Sequence, residues 1–158
     1  AAGLPGPAGH EGRSKTRLSD VPRPALVLGF AGLLPFVATS SAALAVGYPG
    51  IVFVVNLQMV YAAVILSFLG AVHWGLALAQ DAAGSWRRLT LSVLPALAGW
   101  LALVTPNDLG LLLLAFGFAG VFFADLRAVA GGSAPAWYKA LRKPLTAIVL
   151  ICLGSARP

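Results

Sequence analysis

The sequence predicts an all-α integral membrane protein, a bundle of about five transmembrane helices with one short interfacial helix. Hydrophobic residues make up 59% of the 158 residues and charged residues only 10%, whereas a soluble domain is about half apolar and about a quarter charged. Residues 24–72 contain no charged residue and no histidine. Because a helix in water needs a polar side and about 20 apolar residues suffice to cross a bilayer, these runs indicate membrane helices.

The chain divides into a tail and a membrane domain. Residues 1–22 predict an extended tail rich in Gly and Pro, and residues 23–158 a multi-span transmembrane domain. Pro35 predicts a kink in the first span. Turns are indicated by GYPG, DAAGSWRR and TPND, at residues 47–50, 81–88 and 105–108. The spans are expected at about residues 24–46, 51–80, 89–104, 109–124 and 144–154. The last is short, so a partly inserted helix, and with it a four-span topology, is the alternative.

The interfacial helix is expected at PAWYKALRKP, residues 135–144. Its rings favour the head-group level, and its cations can reach water from there. The side chains expected at the membrane interface are Trp86, Arg87, Arg88, Trp137, Tyr138, Lys139, Arg142 and Lys143.

The basic residues predict an orientation. With five spans, ten of the eleven lysines and arginines fall on the side of the N-terminal tail, and Arg157 falls on the other. Positive loops face the cytoplasm or the matrix. The net charge of +6 is spread over short loops, which indicates anionic lipid head groups as partners and excludes a nucleic-acid surface.

Small residues predict how the second span packs. Ala63, Ser67, Ala71 and Gly75 recur every four residues, and Gly70 lies beside them. Small side chains let another membrane helix approach closely. The second span is therefore expected to be the centre of the bundle.

His73 is expected about 12 Å inside the membrane, eight residues before Asp81. Three alternatives stay open: a polar contact that locks the bundle, a ligand of haem, chlorophyll or a metal, and a proton or ion relay. No acidic residue is expected within the membrane interior. Asp81 and Asp125 are expected at helix ends, paired with Arg87, Arg88 or Arg127.

Sequence motifs of catalysis are absent. The chain has no Gly-rich phosphate loop, no His-Glu-x-x-His motif and no plausible Ser/His/Asp set, and its single cysteine, Cys152, lies in an apolar run. The sequence therefore predicts no enzyme and no obligatory cofactor. Structural lipids are expected, with haem or chlorophyll near His73 as the alternative.

Several segments resemble the transmembrane protein 69 family: YAAVILSFLGAVHWGLAL, LSVLPALAGWLAL and PAWYKALRKPLT. The family consists of small multi-span proteins of uncharacterised function from proteobacteria and mitochondria. The resemblance implies a five-span protein of the mitochondrial inner membrane. The basic residues then predict the N-terminus in the matrix and the C-terminus on the opposite side. A thylakoid or bacterial inner membrane is the alternative, and the resemblance implies no catalytic residues.

Two classes of function follow. The first is a non-catalytic accessory subunit of a large energy-transducing membrane complex, with the respiratory chain favoured over a photosynthetic complex with nearby pigments. Its partners would be other membrane subunits, contacted partly through the N-terminal tail. The second is a small carrier or sensor that binds a hydrophobic ligand between its helices. It predicts a cavity near His73 and Trp74.

Overall fold

The computed structural model describes residues 16–80 and 84–156. A short 3₁₀ turn, Leu18–Asp20, precedes six α-helices. They are α1 (Arg23–Ala31), α2 (Leu34–Ala45), α3 (Gly50–Ala79), α4 (Trp86–Val104), α5 (Asn107–Ala130) and α6 (Ala136–Ser155). The residues in these two ranges form no β-strand, and the predicted all-α class is confirmed.

Four segments are long and apolar enough to cross a bilayer: Arg23–Ala45, which joins α1 and α2, and the helices α3, α4 and α5. The last helix, α6, has 20 residues and is therefore about 30 Å long, the thickness of a hydrocarbon core. Its first half carries Lys139, Arg142 and Lys143. The predicted bundle of about five membrane helices is confirmed.

The first span is interrupted where the sequence predicts a kink. α1 ends at Ala31 and α2 begins at Leu34. Pro35 has no N–H to donate to the carbonyl of Ala31, so the helical hydrogen bonding is broken there. The Tyr61 hydroxyl of α3 donates to the nearby Gly32 carbonyl at 3.0 Å, which ties the interrupted span to the centre of the bundle.

α3 is the central helix, as predicted. It has 30 residues, or about 45 Å, and packs against α2, α4 and α5. Val55, Met59, Ala62 and Leu66 on this helix are at most 2% exposed. Because these apolar side chains of α3 are almost fully buried, α3 is the helix around which the others pack.

Glycines bring the neighbouring helices into backbone contact. Gly99 of α4 faces Ala63 of α3, and a methyl group added to Gly99 would lie 3.2 Å from the Ala63 Cα. A methyl group on Gly110 of α5 would collide with the Ala102 carbonyl oxygen of α4, and one on Gly70 of α3 with the Ser92 carbonyl oxygen of α4. Two of these pairs join α3 and α4: residue 63 with residue 99, and residue 70 with residue 92. Because the number rises along α3 as it falls along α4, the two helices are antiparallel.

The predicted interfacial helix and the predicted last span are one helix. α6 runs from Ala136 to Ser155 without a break at Pro144. A proline inside a helix removes one hydrogen bond and distorts the turn before it, but Leu141 and Leu145 on either side of Pro144 are both buried. Packing on both sides of the proline therefore keeps the helix continuous.

α5 is longer than the sequence predicts. The fourth span was expected to end at residue 124, where Asp125 introduces a charge, but the helix continues to Ala130. Asp125 is 1% exposed, so its charge does not mark the boundary of the helix. α4 likewise begins at Trp86, three residues before the expected start.

Candidate functional site

A buried carboxylate joins three helices. Asp125 of α5 is 1% exposed and accepts hydrogen bonds on both of its oxygens. Arg142 Nε of α6 donates to Oδ2 at 2.6 Å. His73 Nε2 of α3 lies 2.9 Å from Oδ1 and donates to it in the tautomer that carries its proton there. We call His73, Asp125 and Arg142 the charge cluster.

The charge cluster satisfies the conditions under which a charge can be buried. A carboxylate away from water is strongly disfavoured unless both oxygens are hydrogen-bonded and a positive charge lies close by. Arg142, itself only 5% exposed, supplies the charge, and His73 supplies the second donor. Loss of Asp125 or Arg142 leaves an uncompensated buried charge, which costs about 3–5 kcal/mol. The cluster therefore holds α3, α5 and α6 together.

The expected partners of Asp125 are wrong. The sequence indicated a helix-end carboxylate paired with Arg87, Arg88 or Arg127, because these arginines lie in the nearest loops. Arg88 Nη1 instead donates to Gln80 Oε1 at 2.8 Å, and the Arg127 guanidinium lies 4.4 Å from the centre of the Phe123 ring. Asp125 points into the bundle, and Asp81 lies outside the described residues.

His73 has an acidic partner, although the sequence predicted no acidic residue within the membrane interior. The polar contact of His73 is made with Asp125. Because Nε2 contacts Asp125, a bond from this nitrogen to haem or chlorophyll would have to displace the carboxylate. In the described ranges, no three His, Cys, Asp or Glu side chains lie close enough together to hold a metal ion.

Arg142 was expected at the membrane interface and is instead buried. Its neighbours on α6, Lys139 and Lys143, are exposed, so α6 turns one cation inward and two outward. Of the other side chains expected at the interface, Trp86, Arg87 and Arg88 are exposed in the first turn of α4, whereas Trp137 and Tyr138 are half-buried.

Tyr138 lies beside the charge cluster. It belongs to the first turn of α6 and is half-buried.

A large cavity lies between α3, α4 and α5. Its volume is about 600 Å³, and His73 lines one wall. Much of the remaining wall is apolar and includes Leu91, Leu94, Val121 and Phe123. Leu91, Leu94 and Phe123 are also about half exposed, so the cavity opens at the surface between α4 and α5.

The cavity has a cationic end and an apolar end. Arg87, Arg88 and Arg127 line it near the connection between α3 and α4. Ala98 and Gly117 line it deeper in the bundle. Ten residues of helix separate Arg127 from Gly117, so the cavity extends about 15 Å along α5. We call the end lined by the three arginines the mouth.

A second, smaller cavity lies on the other side of the charge cluster. Its volume is about 140 Å³, and its walls include Phe36, Phe118, Arg142 and Thr146. Arg142 Nη2 and Thr146 Oγ1 are buried and have no hydrogen-bond partner among the described residues. The charge cluster thus separates two cavities: His73 borders the larger and Arg142 the smaller.

The row of small residues on α3 is only partly in a helix contact. Ala63 and Gly70 lie against α4. The Ser67 hydroxyl donates to the Ala63 carbonyl of the same helix at 2.8 Å. Ala71 and Gly75 are exposed. A spacing of four residues exceeds the helical period of 3.6, so the row turns by about 40° at each step and leaves the contact face.

The N-terminal tail was expected to contact a partner, and residues 1–15 lie outside the described residues. This contact therefore stays a prediction.

Comparison with known proteins places the chain in a family. Residues 21–157 match the family described as "Protein of unknown function (DUF3429)". "Transmembrane protein 69" of Xenopus tropicalis is 39% identical over 142 residues, and its namesake of Mus musculus is 31% identical over 140 residues. The matches cover 86% of this chain but 54% and 56% of the relatives, so the chain spans about half their length. No solved structure matches the chain. The chain belongs to the transmembrane protein 69 family.

Proposed function

We propose that this protein binds a hydrophobic ligand within the membrane, as a small carrier or sensor. The observation that carries the proposal is the cavity of about 600 Å³ between α3, α4 and α5. Sites for small molecules and cofactors have volumes of about 300–1,000 Å³ and mostly apolar walls with a few polar groups. The cavity meets each of these criteria.

The walls of the cavity suit an apolar chain. Leucine, valine and phenylalanine side chains provide contacts that do not depend on ligand orientation, and His73 adds a polar group partway along. The opening between α4 and α5 faces the surface that lipid would cover, so a ligand could enter sideways from the bilayer. The cavity borders His73, as the carrier hypothesis expects, but Trp74 is not part of its wall.

The membrane and the orientation are also proposals. The family's mitochondrial members favour the mitochondrial inner membrane. The basic residues at the start of α4, the end of α5 and the start of α6 favour the matrix for the N-terminus. Labelling should find Arg87→Cys and Lys139→Cys accessible from the same side in sealed vesicles, in a Cys152→Ala background. Labelling from opposite sides would contradict this topology.

The role as an accessory subunit of an energy-transducing complex stays a prediction. It depends on a partner and on the N-terminal tail. Deletion of residues 1–15 should weaken co-purification of the chain with a membrane complex. Unchanged complex assembly and activity after loss of the whole protein would contradict it. Ligand binding does not depend on this outcome.

Photolabelling tests the ligand proposal. The probe is a long-chain fatty alcohol with a diazirine in its chain, added to the protein in lipid nanodiscs. Labelled peptides should come from α4 and α5 around Leu94 and Gly120, and unlabelled alcohol should compete. Gly120→Phe should abolish most of this labelling, because Gly120 lines the cavity and a side chain there meets no other atom within 4 Å.

The matched control is Gly75→Phe. Gly75 is also a helical glycine with open space beside it, but it is not part of the cavity wall. Labelling of α4 and α5 should stay at the wild-type level in this variant. Equal labelling of the wild type, Gly120→Phe and Gly75→Phe would show that the probe samples the outer surface only, and the proposal would fail.

A further inference from the structure

The ligand of the large cavity carries a negative charge, we infer, with its anionic head group at the mouth and its apolar chain inside. The inference rests on the proposed function, because it assigns the head-group chemistry of the same ligand. The head group is a phosphate or a carboxylate, and its partners are Arg87, Arg88 and Arg127.

Three arginines from two helices line the mouth. Arg87 and Arg88 belong to α4 and Arg127 to α5, and all three line the cavity. The two ion pairs within residues 16–80 and 84–156 both belong to Asp125, so no described carboxylate balances these arginines. Guanidinium groups bind phosphate and carboxylate oxygens through paired, charge-assisted hydrogen bonds. The mouth therefore has the charge and the donors that an anionic head group needs.

The first turn of α4 gives a second reason to expect that an anion binds at the mouth. Arg87 and Arg88 lie in its first turn, where the helix dipole is positive and cations are disfavoured. Backbone N–H groups there have no helical acceptors, and no side chain caps them. An anion at this position would accept hydrogen bonds from the arginines and the backbone, and would relieve the repulsion between like charges.

The interior of the cavity offers no unbalanced positive charge to the anion, whereas the mouth does. Arg142 is already paired with Asp125, so the buried arginine offers no unbalanced charge. Beyond His73 the cavity is bounded by apolar residues such as Ala98 and Val121. Because the cationic end and the apolar end are about 15 Å apart, the cavity fits an amphiphile with one charged end.

Matched photolabels test the inference. The probes are a fatty alcohol, the fatty acid of the same chain length, and the corresponding lysophosphatidic acid, each with the diazirine at the same carbon. In nanodiscs of neutral phosphatidylcholine, both anionic probes should label α4 and α5 at about tenfold lower concentration than the alcohol. The double variant Arg87→Gln, Arg88→Gln should remove this advantage, so that the anionic probes and the alcohol label at similar concentrations.

The control for general attraction of anions is the double variant Lys139→Gln, Lys143→Gln. Both lysines are exposed near the same end of the bundle and lie outside the cavity wall. The anionic advantage should persist in this variant. An equal loss in both double variants would show a diffuse surface effect and overturn the inference.

The outcomes separate this inference from the proposed function. If alcohol and anions label the cavity equally in the wild type, the anionic head group is refuted and hydrophobic binding stands. If no probe gives labelling that Gly120→Phe abolishes, the proposed function itself fails. A preference for lysophosphatidic acid over the fatty acid identifies phosphate as the head group, and the reverse identifies carboxylate. Either preference supports the inference.

Discussion

Gly110 and Gly120 lie on the same helix, less than three turns apart, in opposite surroundings. A methyl group on Gly110 would collide with the backbone of α4, whereas one on Gly120 would meet no atom within 4 Å. Around Gly110, α4 and α5 are in backbone contact. Around Gly120, the two helices are separated by the large cavity.

The difference between the packing around Gly110 and around Gly120 shows how the bundle can contain a cavity and remain folded. The half around Gly110 is held by close packing, which is the main attraction between helices in lipid. The half around Gly120 has less packing, and the charge cluster joins α3, α5 and α6 beside it. Two hydrogen bonds to one buried carboxylate thus replace part of the packing that the cavity removes.

The largest expected effect is the loss of the carboxylate. Asp125→Asn keeps the size of the side chain but leaves Arg142 buried without a counter-charge, so the free energy of unfolding should fall by about 3–5 kcal/mol. Titration with a denaturing detergent, followed by circular dichroism, measures this change. The control is Asp108→Asn, an exposed carboxylate in the first turn of the same helix, which should cost less than about 1 kcal/mol. Similar losses in the two variants would contradict the buried cluster.

The second-largest expected effect is the difference in the free energy of unfolding between Gly110→Ala and Gly120→Ala. Gly110→Ala should lower the free energy of unfolding by about 2–3 kcal/mol, because α4 must move away from the added methyl group. Gly120→Ala should leave it unchanged or raise it by up to about 1 kcal/mol, because alanine favours the helix and the site has room. The same detergent titration compares them. Equal destabilisation by both substitutions would show that the cavity is closed in the membrane.

The smallest expected effect is at His73. Its side chain is 19% exposed, so water can replace part of the hydrogen bond to Asp125. His73→Ala should therefore cost only about 1.5 kcal/mol. His73→Gln, which keeps a donor of similar reach, should recover most of this loss in the same titration. If glutamine is no better than alanine, the side chain contributes packing and not a hydrogen bond.

Hydropathy predicts most of the fold. Apolar runs locate the membrane helices, and Pro35 locates the interruption of the first span, because each feature acts within a few residues. The continuity of α6 was missed because the effect of Pro144 depends on the burial of Leu141 and Leu145, which is decided by other helices. In the packing row on α3, Ala63 lies against α4, as does Gly70 beside the row, but a period of four cannot follow a helical face for long.

The site was harder to predict than the fold. His73 was identified from its position in an apolar run, but the cluster also needs Asp125, which was assigned to a helix end. One signal was present: Leu126, Ala128 and Val129 continue the apolar pattern past Asp125, interrupted only by Arg127, as they would if the carboxylate were inside a helix. Its pairing with Arg142 joins residues 17 positions apart on two helices, and such a contact follows from the packing of α5 on α6. The cavity likewise has no local sequence pattern.

The most direct test of the ligand-binding cavity is native mass spectrometry of the protein released from nanodiscs. The wild type and Gly75→Phe should each retain an amphiphile after the bulk lipid is removed, seen as one additional mass, and Gly120→Phe should appear as the bare chain. The same retained mass on all three proteins, or on none, would contradict a ligand held between α3, α4 and α5.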